Sequence, residues 1–199
     1  PGREGHARIN PNKNQIVAPT AMVTDRCYEM PHELSTEEVE GLVAKHVIGA
    51  TISKYAGADG VELHAAHGYL INQFLSPFSN KRTDKYGGSF EKRMRFIQEI
   101  VIGIKRSCGP NFPVGVRLSV DEFMGDEGIT LEMGVEIAKN LEKLGVDHIH
   151  VSCGIYESGH NIIPIHIYPQ ACRRNLAQAI KDAVSIPVIS INNIKEPKV

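Results

Sequence analysis

Three side chains that can donate hydrogen bonds stand within six residues: His64, His67 and Tyr69. They close a short run, Val61 to Leu63, that reads as a strand. Two neighbouring imidazoles can meet negative charge developing on a substrate oxygen, as the fixed donors of an oxyanion hole do. A phenol, with an ordinary pKa of about 10, is a fitting acid for an enolate-like carbon. By residue type alone, two other readings stay open. The histidines can be satisfied structural polar groups at a strand end, or a zinc pair, although the glutamate of a His-Glu-x-x-His motif is absent.

Arg117 is the second residue with chemical weight. It sits in Pro113–Ser119, a run apolar at nearly every other position. An arginine there is expensive to bury unpaired and needs an anion or a polar ligand. A structural pair with a carboxylate is the alternative.

The elements that position these groups follow from periodicity. Ser35 and Glu38 form a capping box, and the helix behind them runs to about Tyr55 and stops at Gly57. The strand Gly60–His64 follows, and then a long polar loop with a Gly87-Gly88 turn. Ser89 caps a helix that ends at Gly109-Pro110, with Met94, Ile97, Val101 and Ile104 as its buried stripe. Pro113–Ser119 reads as a parallel strand covered on both faces. Thr130 caps a helix stopped by Gly145, Asp147–Ser152 is a strand, Ala171–Val184 a helix and Ile186–Ile191 the last strand. Residues 1–34, with Pro1, Pro11, Pro19 and Pro31, read as loop, and 154–169, with His160 and His166, as irregular. Strict helix–strand alternation predicts an α/β fold with a parallel sheet and helices outside. No Gly-x-Gly-x-x-Gly follows a strand, which removes the main support for a dinucleotide-binding fold.

Composition narrows the function classes. At 199 residues the chain can bury a core and make one domain. Its net charge of -1 gives no basic stripe for nucleic acid. No apolar run approaches the roughly 20 residues of a membrane helix, and the N-terminus is no signal peptide. Cys27, Cys108, Cys153 and Cys172 are scattered with no Cys-x-x-Cys, so they read as reduced thiols of a cytoplasmic protein; Cys27 has no evident activating neighbour.

The runs His64-Ala65-Ala66-His67-Gly68-Tyr69, Asn72-Gln73-Phe74-Leu75, Ser79–Asp84 and Tyr86-Gly87-Gly88-Ser89 resemble the Old Yellow Enzyme family of flavin-dependent ene-reductases. The His-His form is similar to the bacterial branch with the enoate and dienoyl-CoA reductases. The resemblance implies a (β/α)8 TIM barrel, incomplete here. Such a barrel usually takes about 250 residues, so 1–199 would be a partial FMN-binding domain holding strands four to seven, with both ends cut. It implies FMN, with NADH or NADPH as reductant, and an activated alkene as the small-molecule substrate. Hydride would go to the β carbon; His64 and His67 would bind the substrate oxygen and Tyr69 would protonate the α carbon. Arg117 would face the flavin N1 and C2 oxygen. An iron–sulfur cluster would belong to a further part of such a protein. Nucleic acid and membrane are not expected partners; a homo-oligomer is.

Asn192 stands where the family often has glycine near the flavin phosphate, so it is a cofactor-binding candidate whose side chain departs from the pattern. Lys81–Asp84 could bind phosphate, but Arg82 and Asp84 more simply hold the loop's shape. The acidic stretch Val120–Gly128 reads as a solvated loop. His148 and His150 point to one side of their strand and, in a barrel interior, need partners. Two rival readings remain. One is a catalytically silent half-barrel that lacks flavin and self-associates through open sheet edges and apolar faces. The other is an aldolase-like barrel, which would want a strand-end lysine that is missing.

Overall fold

The computed structural model describes residues 2–5, 15–24, 29–164 and 168–196. Pro1, Pro11, Cys27, His166 and residues 197–199 lie outside the described residues.

Local signals set the first half of the chain. Short strands β1 (Val17–Ala18) and β2 (His32–Glu33) pair in parallel, within a stretch whose prolines suggested loop alone. Helix α1 (Thr36–Tyr55) starts at the expected box: the Ser35 hydroxyl accepts from the Glu38 N–H, and the Glu38 carboxylate accepts from the Ser35 N–H at 2.7 Å. It ends before Gly57, whose φ of +94° suits a residue without a Cβ. Strand β3 (Val61–Ala65) follows.

A six-residue helix, α2 (Leu70–Leu75), then replaces the first part of the expected loop. Ile71, Phe74 and Leu75 recur at helical spacing and are buried, and this short stripe against the core wins over the polar residues between them. Helix α3 (Phe90–Cys108), strand β4 (Val114–Ser119), helix α4 (Leu131–Lys143), strand β5 (His148–Ser152), helix α5 (Arg174–Ala183) and strand β6 (Val188–Ile189) complete the alternation. Ser89 and Thr130 cap α3 and α4 with their side chains, as the sequence predicts.

The four longer-range strands form one parallel sheet in chain order, β3-β4-β5-β6. This is part of a (β/α)8 barrel. The helices cover one face of the sheet. Leu63, Ala65, Val114, Val116, Leu118, Ile149 and Val151 lie buried there with Ile97, Ile104, Ile137, Leu141 and Ile180 in one core. Alternation along each strand sends Glu62, His64, Arg117, His148 and His150 to the other face. Register places His64 beside Arg117 and Arg117 beside His150. Strand β4 is buried at every position but Arg117, as expected of a strand covered on both faces, although helices cover one face and polar side chains such as His148 the other. Among the described residues no helix is long and apolar enough to cross a membrane.

Candidate active site

The three donors gather at the C-terminal end of β3, the end at which barrels of this class place chemistry. His67 stands in a tight turn after the strand with φ of +61°, a left-handed conformation that costs a non-glycine residue about 1 kcal/mol or more. Neighbouring strands hold it there. Its N–H donates to the Ser119 hydroxyl at 3.0 Å, and Nε2 lies 2.6 Å from the Ser152 hydroxyl. Ser119 and Ser152 are register partners at the ends of β4 and β5. The Gly68 N–H donates to Asn72 Oδ1 at 2.6 Å, which fixes the turn against α2.

Tyr69 is the residue before α2. Its ring centroid is 4.9 Å from that of His64 and 6.4 Å from that of His67, and the two imidazoles are 5.2 Å apart. The three rings pack against one another, with His64 exposed and His67 buried. A cleft of about 350 Å³ is lined by His67, Tyr69, Arg117, Tyr156, Gly159, Ile162 and Ile163. His64 borders it through its contacts with the His67 and Tyr69 rings rather than lining it.

The electrostatics favour neutral imidazoles. Burial, reinforced by the charge of Arg117, pulls the His67 pKa down to about 4. The same two causes lower that of His64. Each ring at neutral pH therefore carries one N–H and one acceptor nitrogen.

Arg117 is half-buried, and its Nε is buried with no hydrogen-bond partner among the described residues. No carboxylate pairs with it among the described residues, so the structural alternative of a buried ion pair is not realised. A cation that opens on the cleft with an unused donor fits an electron-rich, hydrogen-bond-accepting ring system such as a flavin.

Other expectations resolve clearly. Arg82 donates to Asp84 Oδ1 at 3.0 Å and Oδ2 at 2.5 Å, to the Pro19 carbonyl at 3.0 Å and to the Leu34 carbonyl. Its bonds, with that of Thr36 Oγ1, hold the Asp84 carboxyl well below the usual range. This is the shape-keeping role expected of Arg82 and Asp84. His148 and His150 share the Glu62 carboxylate, at 3.3 and 3.1 Å. Asn192 adopts φ of +83°, the glycine-like conformation its position suggests, and its amide lies 3.8 Å from Cys153 Sγ. Among the described residues no group of three or more His, Cys, Asp or Glu is placed to hold a metal ion.

The acidic loop holds the main surprise. Glu122 is 1% exposed, not solvated. Its carboxylate accepts from Asn72 Nδ2, the Ser76 hydroxyl and the Ile129 N–H at 2.9, 2.6 and 3.0 Å. Burial pushes its pKa up to about 7, against those bonds. Ser119 and Ser152, which touch His67, Tyr156, which touches Tyr69, and Glu122, which holds Asn72, are the neighbours of the cluster that sequence reasoning passed over. The serines at two successive strand ends were the available signal.

The fold and site together are those of a parallel α/β barrel segment with a donor cluster at the end of β3 and, on β4, an arginine whose Nε has no partner among the described residues. Residues 4–199 match the NADH:flavin oxidoreductase / NADH oxidase family, and the chain belongs to it. It is 48% identical over 184 residues to an NADH oxidase of Thermoanaerobacter brockii, covering 92% of this chain and 28% of that protein. It is 36% identical to an NADPH dehydrogenase of Clostridium acetobutylicum, over 89% of this chain and 51% of the relative. Among solved structures, a 2-naphthoyl-CoA reductase in complex with 2-naphthoyl-CoA superposes with a TM-score of 0.86 at 34% identity, covering 94% of this chain and 30% of the other. Morphinone reductase with tetrahydroNAD gives 0.71 at 29% identity, covering 98% and 54%. The chain thus spans between about a quarter and about half the length of these relatives.

Proposed function

We propose that residues 1–199 form part of the barrel domain of an FMN-dependent NAD(P)H oxidoreductase that reduces activated C=C bonds. The carrying observation is that His67, Tyr69 and Arg117, whose Nε has no partner among the described residues, line one cleft, with the His64 ring packed against those of His67 and Tyr69. The names of relatives, among them a cinnamate reductase of Clostridium sporogenes at 37% identity, support the reading.

Arg117 would hold the flavin from the β4 side, and Asn192 would approach it from the turn after β6. A flavin held there would supply the hydride for the β carbon of the substrate. The chain's own residues do the rest. Neutral His64 and His67 present N–H donors to the carbonyl oxygen on which charge gathers. Tyr69 gives its phenolic proton to the α carbon. Ile162 and Ile163 give the cleft an apolar side against which an alkene can lie.

Two measurements test the reading. The protein purified with FMN should be yellow and should be reduced by NADH or NADPH; a colourless protein that takes up no FMN contradicts it. Tyr69→Phe should slow flavin reoxidation by an activated alkene roughly 10²- to 10⁴-fold, the usual worth of a positioned acid. Flavin reduction by NAD(P)H should stay within a few-fold. Equal slowing of both half-reactions would remove Tyr69 from the proton-donor role.

A further inference from the structure

We propose that Tyr156 is the positioning and proton-relay partner of Tyr69, held at the cleft by the buried Arg3–Glu157 ion pair. The inference rests on the reading above, since a relay needs an acid to serve.

The two phenol oxygens are 3.2 Å apart, with ring centroids at 6.1 Å, and both residues line the cleft. Tyr156 opens a short 3-10 turn, Tyr156–Asn161, that lies just after β5. Nothing in that turn's own sequence would fix a phenol against one that lies 87 residues earlier. Two sets of long-range contacts do so.

The first runs through Arg3, which is 2% exposed. Its Nη2 donates to Glu157, at 2.8 Å to Oε1 and 3.0 Å to Oε2. Its backbone N–H donates to Gln73 Oε1 at 3.4 Å. Gln73 in turn donates from Nε2 to the Gly68 carbonyl at 2.5 Å and from its backbone N–H to the Tyr69 carbonyl at 2.8 Å. Arg3 therefore grips the residue after Tyr156 and the helix that follows Tyr69. The second set runs through Glu122. Its carbonyl accepts from the Ser158 hydroxyl at 2.6 Å, and its carboxylate holds Asn72, the residue that fixes Gly68. A buried ion pair contributes little net stability against an apolar replacement, but it specifies geometry when both partners are fixed.

The chemistry gives the contact its use. When Tyr69 gives its proton to the α carbon, its oxygen is left as an acceptor only. The Tyr156 hydroxyl then donates to it, and the charge-assisted bond is stronger than the neutral one it replaces. Transfer of the proton breaks the Tyr156 O–H bond and forms the Tyr69 O–H bond. Tyr156, partly exposed, regains a proton from water. No atom changes oxidation state, and the net proton comes from solvent.

Tyr156→Phe in the flavin-loaded protein tests this. Alkene reduction should fall about tenfold, the worth of one hydrogen bond to an ionised group. KM should hold, and flavin reduction by NAD(P)H should be unchanged. In mixtures of light and heavy water, the wild-type rate should reflect more than one proton in flight and the variant only one. Glu157→Gln should reproduce that loss of the second proton while keeping the phenol. Unchanged alkene reduction and an unchanged proton inventory in Tyr156→Phe would overturn the proposal. If wild-type protein reduces no alkene, the functional reading fails, and the contact is judged by ultraviolet resonance Raman. Tyr156→Phe should then alter the hydrogen-bond signature of a second tyrosine, and that alteration should vanish in a Tyr69→Phe background. No such alteration would overturn the pairing.

Discussion

The Ser152 hydroxyl lies 2.6 Å from Nε2 of His67 and decides which way that ring can work. A neutral imidazole has one donor nitrogen. If the serine donates to Nε2, the proton sits on Nδ1 and can meet a substrate oxygen. If Nε2 donates to the serine, Nδ1 can only accept. A substrate-binding His67 therefore needs Ser152 as donor. Ser152→Ala should release the tautomer, raise the KM for an alkene substrate about 5- to 10-fold, the worth of one hydrogen bond, and leave flavin reduction alone. Steady-state kinetics of the two half-reactions check this; an unaltered KM would show that the serine does not set the ring's role.

Glu122 ties stability to pH. Its folded pKa of about 7 lies above the ordinary carboxylate value, so the native state holds a proton that the unfolded chain has released. Stability from this group is complete below about pH 4 and is lost as pH rises through about 7, by up to about 3 kcal/mol. Denaturant unfolding at pH 5 and pH 8 should show that decline in the wild type. Glu122→Gln, which cannot ionise, should be less stable at pH 5, since one of three donors loses its acceptor, but should lack that part of the pH dependence. Parallel curves for the two proteins would place the titration elsewhere.

What was legible in the sequence was what neighbours in the chain decide. The Ser35–Glu38 box, the Ser89 and Thr130 caps and the alternation of strand and helix need only a few adjacent residues. The His64–Tyr69 cluster was readable because a strand end compresses three donors into one turn. Glu122 was not, because its burial comes from Asn72 and Ser76, some 46 to 50 residues away. Its neighbours Asp126 and Glu127 are exposed, as a solvated loop should be. Tyr156 was hidden for the same reason: its partner stands on another strand's loop. Helix α2 was misread because only three of its residues form the apolar stripe, too few for periodicity to speak.

Arg117 should govern flavin affinity and also the charge of its neighbours. Arg117→Leu should weaken FMN binding about 10- to 100-fold, the worth of a charge-assisted bond left unmade, as read by flavin fluorescence on titration. It should also let the His67 pKa rise from about 4 towards its ordinary value, because the guanidinium charge is the second cause of its depression after burial. Proton NMR of the His67 ring follows that shift. Unchanged FMN affinity together with an unmoved His67 titration would mean that Arg117 faces neither.

Gly115 makes room for a contact that spans three strands. Glu62 on β3 pairs in register with Gly115 on β4, and Gly115 with His148 on β5. Two strand spacings separate the outer pair, about 9.6 Å, yet His148 Nε2 reaches Glu62 at 3.3 Å. The imidazole can do so only by lying across the middle strand, and a Cβ on Gly115 would come within 2.1 Å of its Cε1 and Nε2. Gly115→Ala should therefore expel His148 from Glu62 and destabilise the fold by about 1–3 kcal/mol, the range for an added methyl in a packed site. Removing the ring should remove the clash, so Gly115→Ala should cost much less in a His148→Ala background. Denaturant unfolding of the four proteins gives the coupling. Additive effects would mean that the ring has other room, and that the polar face of the sheet is not packed through the glycine.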